Sequence, residues 1–318
     1  MNPGSPSTNG GAAITFAGVT KRYRGHLALN DLSLRVAKGC VFGLLGPNGA
    51  GKTTTLRLIT GVLGPDAGTV TVLDEIPGVA RARVGFLPEE KGLYRRMRVL
   101  EYLVFFAQLK GMNRRDAVHS AMRALERFGI ADRAHNRCEA LSKGLGQKLQ
   151  IATALVHDPE LIVLDEPFSG LDPVNVDLVR TLVKELRDRG RTVLLSTHDM
   201  AQAELLCDEL LLLDRGNNIL AGRTSSILSA GPPRVRVAYR GQAPDFARLP
   251  GVVSANDTGQ HVELGLHANA DPQTLLRALL DCVTVESFDT RSASLHEIFI
   301  SRVGRAIEPA TTATVSQA

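Results

Sequence analysis

Two short stretches of this chain hold residues that could do chemistry on a phosphate. The first is Gly46-Pro47-Asn48-Gly49-Ala50-Gly51-Lys52-Thr53. Its glycines let backbone N–H groups curl around phosphate oxygens with no side chain in the way. A helix beginning at Lys52 would add the partial positive charge of its N-terminus. The Lys52 ammonium would neutralise the β- and γ-phosphates of a nucleotide, and the Thr53 hydroxyl would ligate Mg²⁺. With Thr54 as the next residue of the phosphate-binding set, this is a P-loop. The second stretch is Leu161-Ile162-Val163-Leu164-Asp165-Glu166, four apolar residues ending on two carboxylates. Asp165 suits the Mg²⁺ shell, and Glu166 suits a general base that polarises an attacking water.

Both stretches need a strand beneath them. Residues 40–45 are an unbroken apolar run, as expected of a strand buried on both faces, and they lead straight into the glycine loop. Residues 161–164 predict a second such strand, and ligands bind at the carboxyl ends of strands in open α/β sheets. Further strands are expected at 14–19, 33–36, 69–73 and 84–87. From Val99 to Val156 the apolar residues recur at helical spacing, which predicts a helical subdomain at about 98–157 inserted into the α/β core. The alternation then resumes, with strands at 193–196 and 210–213, and helices at 174–187 and 201–206. Asn217-Asn218 predicts a tight turn before a strand at 219–221. Alternation of this kind implies a mainly parallel sheet flanked by helices.

A Gly/Pro break at Ala230-Gly231-Pro232-Pro233 ends that pattern. Strands expected at 235–239, 262–266 and 283–288, with helices at 274–280 and 295–303, make a small C-terminal α+β domain. The expected organisation is a flexible tail over 1–11, an ATPase domain over 12–230, an accessory domain over 231–307 and a second tail over 308–318.

The order of motifs resembles an ABC transporter ATPase over about residues 14–222: the P-loop, the Asp165-Glu166 strand end, Ser169-Gly170-Leu171-Asp172, then His198 after an apolar run. The resemblance implies a nucleotide sandwiched between two subunits, one giving the P-loop and the other a signature segment. Here that segment is Leu141-Ser142-Lys143-Gly144-Leu145, in which Ser142 and Gly144 can reach the γ-phosphate and Lys143 either adds charge there or points to solvent. It also implies that Tyr23 stacks on adenine, that Asp172 links the two sites, and that His198 senses the γ-phosphate. The sequence departs from the family pattern at three places. Lys143 stands for Gly, Leu145 for Gln, and Glu89, in Leu87-Pro88-Glu89-Glu90, for the Gln that touches Mg²⁺ and water. A carboxylate at Glu89 can still ligate magnesium. These changes bear on the rate of hydrolysis, not on the presence of a nucleotide site. The combination of motifs, with Ser294-Leu295-His296-Glu297-Ile298-Phe299 near the end, is similar to a bacterial exporter branch described as drug or sodium extrusion systems.

The resemblance implies ATP and Mg²⁺ as ligands, a second copy or a related ATPase subunit as one partner, and a separate transmembrane permease as another. No run of about 18 apolar residues is present, and the start of the chain lacks a signal-peptide pattern. The expected place is therefore the cytoplasmic face of the membrane, held through the permease. A net charge of +4, aromatics at 4% and no Trp give no dedicated nucleic-acid face. Cys40, Cys138, Cys207 and Cys282 form no close pair, which favours reduced thiols over a disulfide or zinc site. Two alternatives stay open: a soluble ABC ATPase acting outside transport, and a regulatory nucleotide-binding module that turns over weakly.

Overall fold

The computed structural model describes residues 11–89, 92–231, 233–267 and 269–307. The expected tails lie outside the described residues, Gly11 apart, and so do Glu90 and Pro232. The chain divides into two compact units, 1–221 and 222–318. The Gly/Pro break at 230–233 thus falls inside the second unit, because strand and helix continue past Ala221 before it.

The first unit opens with β1 (Ala12–Tyr23), β2 (His26–Ala37), β3 (Val41–Leu45) and α1 (Lys52–Ile59). Next come β4 (Ala67–Val72) and β5 (Val84–Leu87). The inserted helices are α2 (Val99–Leu109), α3 (Arg114–Arg127) and α4 (Lys143–Leu155). Then follow β6 (Leu161–Asp165), α5 (Pro173–Asp188), β7 (Thr192–Thr197), α6 (Met200–Leu206), β8 (Glu209–Asp214) and β9 (Asn217–Arg223). Of the early strands, β1, β2 and β4 do not join the parallel sheet. They form an antiparallel sheet of their own in the order β2-β1-β4. The second sheet runs β5-β6-β7-β3-β8-β9, and its pairs β5–β6, β6–β7, β7–β3 and β3–β8 are all parallel. One core serves both sheets: Ile14, Phe16 and Leu32 from the first pack with Leu44, Leu161, Leu194 and Leu211 from the second.

The order of the parallel sheet places the chemistry. Strands β5, β6, β7 and β3 lie side by side, so the segments that leave their carboxyl ends are neighbours. In register, Leu87 faces Leu164, Asp165 faces Ser196 and Thr197 faces Leu45. β3 and β6 are buried at every position, as their unbroken apolar runs require.

The turn expected at Asn217-Asn218 sits two residues earlier. Arg215 (φ 46°) and Gly216 (φ 78°) both take left-handed geometry, the requirement of a type I′ hairpin turn, and Asn217 already begins β9. The Asn217 side chain donates to the Arg215 carbonyl instead of forming the turn itself.

The second unit holds α7 (Thr224–Ser229), β10 (Pro233–Arg240), β11 (Val252–Asp257), β12 (His261–Leu266), α8 (Pro272–Leu280), β13 (Thr284–Ser292) and α9 (Leu295–Ile307). Its antiparallel sheet has the order β11-β12-β10-β13. Val235, Val237, Val262 and Leu264 pack with Leu275 and Leu279 of α8 in a separate core. The strand β11 was not expected; it is an edge strand with little buried surface, so its apolar signal is weak.

Candidate nucleotide site

The loop between β3 and α1 can only be built from glycine at its two ends. Gly46 has φ 148°, and a Cβ there would stand 2.3 Å from the Leu213 carbonyl oxygen. Gly51 has φ 109°, and a Cβ there would stand 2.8 Å from the Ala28 carbonyl oxygen. At both ends the backbone behind the loop thus leaves no room for any side chain. Gly51 is the N-cap of α1 and supplies no side-chain acceptor, so no side chain caps the first-turn N–H groups that an anion would use. Ala50 is buried beneath, donating to the Pro47 carbonyl and accepting from Gly216.

Lys52 is 7% exposed. Its ammonium donates to the carbonyls of Gly46 (2.7 Å) and Pro47 (3.3 Å) and lies 3.4 Å from Glu166 Oε1. Asp165, at the end of β6, accepts a 2.5 Å hydrogen bond from the Ser196 hydroxyl. Burial pushes the Asp165 carboxyl up, against the Ser196 hydrogen bond, and the charges of Glu89 and Glu166 push the same way. Glu166 is buried and takes left-handed backbone geometry with φ 46°. A non-glycine residue held there costs on the order of 1 kcal/mol, and such strain collects at functional sites. Its N–H is tied to the Ser196 carbonyl, while Oε2 accepts from the Thr197 hydroxyl (3.3 Å) and meets His198 Nδ1 at 3.0 Å. The His198 ring is otherwise open to solvent.

Pro47, Asn48, Gly49, Gly51, Lys52, Thr53, Thr54, Asp165 and Glu166 line one cleft, together with Tyr23 and Glu89. Two wall residues were not foreseen, His26 and Ala28. They follow Tyr23 through the β1–β2 hairpin, in which Tyr23 pairs with His26. The sequence signal was available: the Arg24-Gly25 turn makes any residue just after it a neighbour of Tyr23. Ser142, Lys143 and Gly144 are not among the residues that line this cleft. Ser142 is the N-cap of α4, its hydroxyl accepting weakly from the Leu145 N–H at 3.4 Å. Nearby, Asp172 caps α5 by accepting from the Asn175 N–H at 2.9 Å, and Asn175 approaches Gly144.

The donor set suits a magnesium–triphosphate complex. Among the described residues no three His, Cys, Asp or Glu converge as a metal cage. Magnesium does not need one, since it is held through one or two carboxylates, water and the substrate's phosphates. Thr53, Asp165 and Glu89 in one cleft offer hard oxygen ligands of that kind.

Fold and cleft together define a P-loop nucleotide hydrolase with an inserted helical subdomain. The family model described as ABC transporter matches residues 29–169. A second, described as ATP-binding protein DrrA1-3-like, C-terminal domain, matches 229–303. The chain is 39% identical over 298 residues to an uncharacterized ABC transporter ATP-binding protein, YhaQ, of Bacillus subtilis, covering 93% of this chain and 100% of that protein. It is 36% identical to a Nod factor export ATP-binding protein I of Mesorhizobium japonicum, covering 96% of this chain and 90% of the relative. A solved ATP-binding subunit of an ABC transporter superposes with a TM-score of 0.63 at 29% identity, covering 68% of this chain and 91% of that one. The chain belongs to the ABC transporter ATP-binding proteins, and it is an ATPase. Such subunits dimerise and work with a membrane permease. Among the described residues no helix is long and apolar enough to cross a membrane.

Proposed function

We propose that this chain binds and hydrolyses ATP to drive a separate permease at the cytoplasmic face of a membrane, as part of an exporter of drugs, ions or lipids. The observation that carries the catalytic part is Glu166. It is buried, held at φ 46°, and fastened between Lys52 and His198 at the mouth of the P-loop. In this reading the Lys52 ammonium and the loop N–H groups hold the β- and γ-phosphates, and Tyr23 covers the adenine. Thr53, Asp165 and Glu89 would hold Mg²⁺, which would offset charge on the phosphate oxygens. Glu166 takes the proton of a water that attacks the γ-phosphorus, and ADP leaves with the electrons of the broken bond. His198 orients Glu166 and contacts the γ-phosphate. Ser142, Lys143 and Gly144 of one protomer meet the γ-phosphate held by the other, so the triphosphate joins two subunits, either two copies or this chain and a relative. Cutting it removes the bridge, and the helical subdomain passes the motion to the permease. Export is favoured by the relatives named for Nod factor export. We further read 12–230 as the ATPase domain and 231–307 as the accessory domain.

The test is ATP turnover by wild type and Glu166→Gln with the permease present. The variant is expected to lose about 10³-fold in turnover, the range of a general base, while still binding ATP. Equal turnover in the two proteins would remove Glu166 from the chemistry.

A further inference from the structure

The cleft is acidic for a site proposed to take a polyanion. Among the described residues its lining carries three carboxylates, Glu89, Asp165 and Glu166, against one buried ammonium, Lys52. That ammonium is already partnered by Glu166 at 3.4 Å. Asp165 has the Ser196 hydroxyl and no ammonium within ion-pair reach among the described residues. Glu89 is exposed at the cleft, and its charge is felt at Asp165, where it adds to the effect of burial. The P-loop N–H groups answer part of a triphosphate's charge, but none of them answers the Glu89–Asp165 pair.

We propose that Glu89 makes nucleotide binding itself depend on the metal, so that this site takes the magnesium complex of ATP in strong preference to free ATP. The inference rests on the nucleotide reading above and goes beyond it, since that reading gives the metal its ligands without making ATP binding depend on it. The physical argument is charge addition. A divalent cation held by Glu89 and Asp165 would neutralise charge on the carboxylates and on a bound triphosphate alike. Without it, four phosphate charges approach Glu89 and an Asp165 whose charge Lys52 offsets only in part, in a cleft where screening is weaker than in water. A neutral amide at position 89 would leave only Asp165. Because Glu89 is exposed, solvent damps its share, and the effect is a bias rather than an absolute block.

The experiment measures equilibrium ATP binding to the purified full chain by calorimetry, in excess MgCl₂ and in excess EDTA, for wild type, Glu89→Gln and Glu89→Asp. Matched melting curves confirm that all three are folded. For wild type, the dissociation constant in EDTA should exceed that in magnesium by well over tenfold. Glu89→Gln should shrink this ratio by about tenfold, as one exposed carboxylate at short range would. Glu89→Asp, which keeps the charge, should keep most of the ratio. A ratio that stays within about twofold of wild type in Glu89→Gln overturns the inference, as does equal shrinkage in both variants. Wild type that binds no ATP in either buffer would defeat the nucleotide reading together with this one. Wild type that binds ATP equally in both would defeat this one alone.

Discussion

The P-loop cleft and the N-terminus of α4 are built to opposite plans. In the cleft, Lys52, Asp165 and Glu166 are each less than a tenth exposed and joined by hydrogen bonds to loop carbonyls, Ser196 and His198. At α4, Ser142 and Lys143 are exposed, and the Ser142 hydroxyl makes only a long bond to its own helix. The first site is held by both sheets of its own unit, with Tyr23, His26 and Ala28 of one closing on the strand ends of the other. The second offers a hydroxyl and helix N–H groups to whatever arrives. That difference is what a sandwich requires: one face pre-organised to hold the nucleotide, the other free to meet it.

Three further experiments break or sharpen this contrast. The largest effect is expected from Lys52→Ala, which removes a buried cation and leaves Glu166 without it. ATP affinity should fall about 100-fold by calorimetry, and an unchanged value would mean the cleft is not the phosphate site. Next is Ser142→Ala, made in a Glu166→Gln background so that ATP persists. ATP-driven dimerisation, followed by sedimentation, should weaken about tenfold, far more than ATP affinity of the isolated subunit. Equal losses in both would dissolve the distinction between the two faces.

The smallest effect is on stability. Burial raises the Asp165 carboxyl, so the fold disfavours its ionised form. The penalty is present at neutral pH and disappears as pH falls through the raised value towards the ordinary carboxylate range. Asp165→Asn, whose amide oxygen can still accept from Ser196, should therefore raise Tm at pH 7 by about 2 °C. That gain should vanish in acid. A lower Tm at pH 7 would show that the carboxylate stabilises the fold and is not held there at a cost.

Much of the candidate site could be read from the sequence, because its requirements are local. Gly46 and Gly51 sit where no Cβ fits, Lys52 opens a helix, and Asp165 and Glu166 close an apolar run. Apolar periodicity likewise marked the helical insertion that became α2, α3 and α4. Periodicity says which face of an element is buried, but not which element lies against it. Hence the antiparallel sheet of β1, β2 and β4 was not anticipated, nor the wall formed by His26 and Ala28. The strand order β5-β6-β7-β3 is also invisible to local pattern, because crossovers and burial set it. That order alone brings Glu89, Asp165, His198 and Lys52 from four separate strand ends to one place. The left-handed turn at Glu166 belongs with it, since no residue type announces that geometry and only the surrounding packing holds it. Residue chemistry was thus fixed along the chain, and its convergence was decided by the sheet.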